Sequence, residues 1–110
     1  MKDVAARRTR FEHDELSIQI GGLASNLSRL AWCLKRVPDG DRLASLFQES
    51  KYFAEWAAAR GSGDLQELLA EVQLALAVWE RRLLRQESRE MLAEESEHWA
   101  QRLLTVVGLA

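Results

Sequence analysis

Leu74-Ala75-Leu76-Ala77-Val78-Trp79, L-A-L-A-V-W, places apolar side chains at consecutive positions inside a long helical pattern. A helix wetted on one side shows an apolar stripe, whereas one that is apolar all round must be covered by neighbours on two or more sides. The run therefore predicts an all-α fold with this helix at its centre, covered by other parts of the chain or by a second copy. Leu65, Leu69, Val72, Leu76, Trp79 and Leu83 recur at four-three spacing and mark its core face. Leu74 and Val78 point the other way.

The same periodicity lays out the remaining helices. Leu16, Ile20, Leu23, Leu27, Leu30, Leu34 and Val37 form an uninterrupted heptad seam, predicting a core-facing helix over 14–36 that Pro38-Asp39-Gly40 ends. Gly21 and Gly22 sit inside it at a cost of roughly 1 kcal/mol each relative to Ala. With Ala24, Ser25, Ser28 and Ala31 they offer a small-residue surface that another backbone could approach closely. The next helix is expected to start near Asp41 and to stop at Gly61-Ser62-Gly63. Its inner face reads Leu43, Leu46, Phe47, Ser50, Phe53, Ala54 and Ala57, with Tyr52 and Trp56 at the margin. The helix carrying L-A-L-A-V-W opens at an acidic cap, Asp64, with Glu67 in capping-box position.

After Leu84 the run Arg85-Gln86-Glu87-Ser88-Arg89-Glu90 is wholly polar, and the stripe resumes as Leu92, Ser96, Trp99, Leu103 and Val106. A turn here gives a four-helix antiparallel bundle of helices on the order of 20 residues. Without one, a single helix continues over 64–107, about 65 Å long at the standard rise, and its far half needs a partner chain. The absence of Gly, Pro, Asn and Asp from the hexamer favours continuity. Residues 1–110 are expected to form one three- or four-helix domain, with 1–12 a flexible arm carrying Arg7, Arg8 and Arg10.

A chain of 110 residues, 47% hydrophobic and 29% charged, has the size and balance of one soluble globular domain. No apolar run approaches the roughly 18 to 20 residues needed to span a bilayer, and the first ten residues lack the apolar core of a secretory signal. With a single cysteine, Cys33, unable to form an internal disulfide, these features lead to the expectation of a cytoplasmic protein with no membrane segment.

Catalytic side chains are scarce. Only His13 and His98 could serve a nucleophile as base, and the glycine-rich phosphate motifs are missing, so an enzyme and a resident cofactor are not expected. Glu95-Ser96-Glu97-His98 places a carboxylate and an imidazole three residues apart on a helix, where they can share a metal. The spacing resembles half of the ferritin-like di-iron site, and that resemblance implies a metal at Glu95 and His98 with carboxylates from facing helices, such as Glu49, Glu55, Glu71 or Glu80. The second E-x-x-H is absent, because Arg10 stands three before His13. Gly22-Leu23-Ala24-Ser25-Asn26-Leu27 resembles the segment after the phospho-accepting histidine of helical phosphotransfer domains. The expected histidine position holds Ser17 or Ile18, so no phosphoryl relay follows.

Arg81, Arg82, Arg85 and Arg89 share a broad helix face with no Glu three or four residues away, which raises a nucleic-acid-associated role. A net charge of -2 opposes it. The apolar residues left over carry more weight. Trp32 lies opposite its helix's heptad seam, and Leu74, Val78, Trp99, Leu103 and Val106 complete the candidate contact residues, since aromatic and aliphatic anchors dominate interface energies. The resulting expectation is a non-enzymatic helical interaction or adaptor module, assembled as a homodimer. A carboxylate/histidine metal protein and a nucleic-acid accessory protein are the alternatives.

Overall fold

The computed structural model describes residues 3–36, 40–86 and 88–108, in which all regular structure is helical. Five helices follow one another among the described residues: α1 Val4–His13, α2 Leu16–Arg36, α3 Gly40–Arg60, α4 Gly63–Leu84 and α5 Arg89–Val106. The count exceeds the expected three or four because α1 is a helix in its own right and 64–107 is not continuous. No helix among the described residues is long and apolar enough to cross a membrane.

The heptad seam of α2 forms the centre. Ile20, Leu23, Leu27, Leu30 and Leu34 are buried, and α2 packs along α3 on one side and α5 on the other. Val37 and the Pro38-Asp39 stop lie outside the described residues. α4 lies on α3 and touches α5 at only a few points. The close approach expected at Gly22 does not occur, since a Cβ there would meet nothing within 4 Å. It occurs five residues later, at Leu27, where Ala93, Ser96 and Ala100 of α5 are fully buried and Ser96 Oγ donates to the Leu27 carbonyl at 2.7 Å. Only a small side chain lets a hydroxyl reach a neighbouring helix's backbone in this way.

From Val4 onward the expected arm is the helix α1, and it is packed on α3. Phe11 is buried and stacks on Phe53 with ring centroids 4.4 Å apart, and it meets Trp56 at 5.6 Å. That cover puts Trp56 in the core at 2% exposure rather than at the margin. α1 ends because its last carbonyls find other donors. Gln19 Nε2 bonds the carbonyls of Phe11 and Asp14, and Arg60 Nη1 bonds those of Glu12 and Asp14.

α4 begins one residue before the expected cap, at Gly63, whose φ of +56 suits glycine. Ser62 is its N-cap without a side-chain bond, and the Asp64–Glu67 capping box does not form. The expected continuation through 85–90 is replaced by a turn. The Gln86 amide bonds the Leu83 carbonyl at φ 60, and Ser88 caps α5 by accepting from the Met91 amide. A left-handed Gln costs roughly 1 to 2 kcal/mol. Burying Leu92 and Leu103 against α2 outweighs that, at roughly 1.5 to 3 kcal/mol for each such side chain.

Candidate functional site

α4 carries two apolar stripes of different fate. Leu69, Val72, Leu76 and Trp79 are buried at 2% exposure or less, whereas Leu74 is 67% and Val78 42% exposed. The expectation that L-A-L-A-V-W is covered on several sides therefore fails within one chain. The physical reason is the choice made by α5, which folds back onto the small-residue face of α2 and leaves the outside of α4 open.

That open side has its own four-three repeat: Glu67, Glu71, Leu74, Val78, Arg81 and Arg85 are all exposed. Acids stand in the first turns and bases in the last, the order that complements the helix dipole. None of these four charged side chains makes an ion pair or hydrogen bond among the described residues. The neighbouring arginine of the expected basic cluster is used differently. Arg82 Nη1 lies 3.1 Å from both carboxylate oxygens of Glu95.

The remaining predicted contact residues do not join this strip into one surface. Trp32, on α2, is half exposed with the Arg36 guanidinium 5.2 Å from its ring centre. Trp99, on α5, is partly covered, with Arg102 at 4.5 Å. Val106 is exposed, but Leu103 is fully buried and belongs to the core rather than to an interface.

The predicted metal ligands have other engagements. Glu95 Oε2 accepts the indole N–H of buried Trp79 at 2.6 Å, and its carboxylate also holds Arg82, so both oxygens already join α5 to α4. His98 is exposed. Glu49 accepts from Arg7 at 2.6 Å and from Asn26 at 3.0 Å, Glu80 pairs with Lys51, and Glu55 and Glu71 face outward. Among the described residues no three His, Cys, Asp or Glu side chains converge.

Sequence periodicity gave no sign of a groove of about 480 Å³ between α2 and α3, lined by Arg7, Arg29, Trp32, Arg42 and Ser45. Arg7 is neutralised by Glu49, but Arg29 and Arg42 have no acidic partner among the described residues. These arginines come from three helices and share no periodic pattern, so only the packed fold places them together. Comparison with protein families, curated proteins and solved structures finds no match for this chain.

Proposed function

We propose that this chain is a non-enzymatic helical interaction module that self-associates through the outer face of α4. The observation that carries the reading is the pair Leu74 and Val78, exposed on successive turns in the middle of a 22-residue helix whose opposite side is buried. Scattered exposed apolar residues are ordinary. Here exposed Ala70 and Ala77 extend the two into a continuous strip, the kind of patch that marks a contact site. Covering what is exposed of Leu74 and Val78 contributes about 2 kcal/mol per copy, counted twice in a symmetric pair. Set against the cost of immobilising two molecules, that favours a weak dimer. The buried, lone Cys33 suits a reducing compartment such as the cytoplasm.

Sedimentation of the purified chain tests the reading. The unmodified protein is expected to dimerise at concentrations on the order of 100 μM, the range of a small interface, and Leu74→Asp/Val78→Asp to remain monomeric with unchanged helical circular dichroism. A chain that stays monomeric throughout that range would refute it.

A second reading has one observation behind it, the groove in which Arg29 and Arg42 flank half-exposed Trp32. Two unneutralised guanidinium groups beside an aromatic face suit a phosphate with a base stacked on the ring, as in single-stranded nucleic acid. Quenching of tryptophan fluorescence by an oligonucleotide, lost in Trp32→Ala and weakened by salt, would support it. Unchanged fluorescence at low salt would dismiss it.

A further inference from the structure

Resting on the self-association proposed above, we infer the register of the pair: two α4 helices lie antiparallel about a two-fold axis passing beside Leu76. The outer stripe of α4, taken with its C-cap Arg85, is palindromic in chemistry, acidic at Glu67 and Glu71, apolar at Leu74 and Val78, and basic at Arg81 and Arg85. An isologous contact requires that if residue i touches j, then j touches i. Only one alignment of this stripe against itself meets that requirement with every layer complementary. It sets Leu74 on the partner's Val78, Glu71 on the partner's Arg81 and Glu67 on the partner's Arg85.

Two independent features support this alignment. The six positions follow an unbroken four-three spacing, so they form one seam about 27 Å long, from Glu67 in α4 to its C-cap Arg85, and can interlock as an antiparallel coiled coil. The four charges also lack partners within the chain among the described residues, and the antiparallel register supplies each with an opposite charge. A parallel pairing would set Glu against Glu and Arg against Arg at four layers. The outward acids and bases thereby select orientation while the two central apolar layers supply the attraction.

Charge reversal at one layer tests the register. Glu71→Arg and Arg81→Glu each replace attraction with repulsion at two symmetric places, so each is expected to raise the dimer dissociation constant about tenfold. Glu71→Arg/Arg81→Glu restores complementarity and is expected to return it to within about threefold of the unmodified value. Circular dichroism monitors folding in each variant. A second measurement needs no charge change: with Cys33→Ala, the exposed Ala77→Cys stands one residue from the axis and should oxidise to a covalent dimer. If the unmodified chain dimerises while single reversals have no effect, the double variant is not rescued, or Ala77→Cys fails to cross-link, the register is wrong and self-association stands. If the unmodified chain does not dimerise, both fall.

Discussion

Replacing Glu95 by alanine should loosen the attachment of α5 to α4 and lower the stability of the whole bundle. The Glu95 carboxylate receives the Trp79 indole N–H at 2.6 Å, and Trp79 is only 2% exposed, so removing the acceptor leaves a buried donor without its protein partner. Leaving a buried donor unsatisfied costs roughly 1 to 3 kcal/mol. The Arg82 contact adds little, because the Glu95 side chain is 42% exposed and pairs of that kind contribute at most about 1 kcal/mol. The expected loss is about 2 kcal/mol, or roughly 10 °C in melting temperature for a domain of this size. Glu95→Gln keeps an oxygen for the indole and should cost about 1 kcal/mol or less. In a Trp79→Phe background, where the donor is already gone, Glu95→Ala should cost only about 0.5 kcal/mol, giving a coupling of about 1.5 kcal/mol in a double-mutant cycle. Thermal and urea denaturation followed by circular dichroism read all five proteins. Melting of Glu95→Ala within 2 °C of the unmodified chain, or an equal loss in both backgrounds, would refute the reasoning. The same experiment bears on metal binding, because a ligand role for Glu95 requires a chelator to destabilise the unmodified protein and to leave Glu95→Ala unaffected.

Three further outcomes follow from the packing. Phe11→Ala removes the ring stacked on Phe53 and should cost about 3 kcal/mol in urea unfolding, with the amides of α1 losing their hydrogen-exchange protection first. Gln86→Gly relieves a left-handed backbone and should raise stability by about 0.5 to 1 kcal/mol, whereas a continuous helix at this point would lose about as much from the same change. Gly22→Ala meets open space inside a helix and should stabilise by about 1 kcal/mol; a loss in the same denaturation assay would mean that another backbone does approach there.

What the sequence discloses follows the range of the forces involved. The seams of α2 and α4 are periodic, and periodicity is local, so Ile20 to Leu34 and Leu69 to Trp79 could be assigned to the core from spacing alone. The end of α1 at Asp14 could not. It depends on Gln19 and on Arg60, the latter 46 residues away in sequence from the carbonyl it caps. Trp56 was expected at the margin because its cover, Phe11, arrives from a segment that reads as a polar arm. At 85–90 the sequence reads as a continuing helix, because neither the cap made by Ser88 nor a left-handed Gln86 has a signature in the composition of the hexamer. Spacing correctly turned Leu74 and Val78 away from Leu76. Whether α5 would cover them was decided elsewhere, by Ala93, Ser96 and Ala100 closing on the Leu27 carbonyl of α2. The metal pair Glu95 and His98 had plausible spacing, yet spacing is silent about Trp79 and Arg82 reaching the same carboxylate.

The most direct test of the proposed assembly is a single distance between two copies of the chain. Ser62 is exposed, carries no side-chain cap bond and stands immediately before α4, so a spin label on Ser62→Cys in a Cys33→Ala background leaves the seam untouched. It lies fourteen residues from the axis position beside Leu76, which places the two labels about 42 Å apart along the antiparallel helices at 1.5 Å per residue. Pulsed electron-electron resonance at a concentration that populates the dimer should return a distribution centred close to that value. A separation near 10 Å, the spacing of adjacent parallel helices, or the absence of any intermolecular dipolar signal would contradict the account.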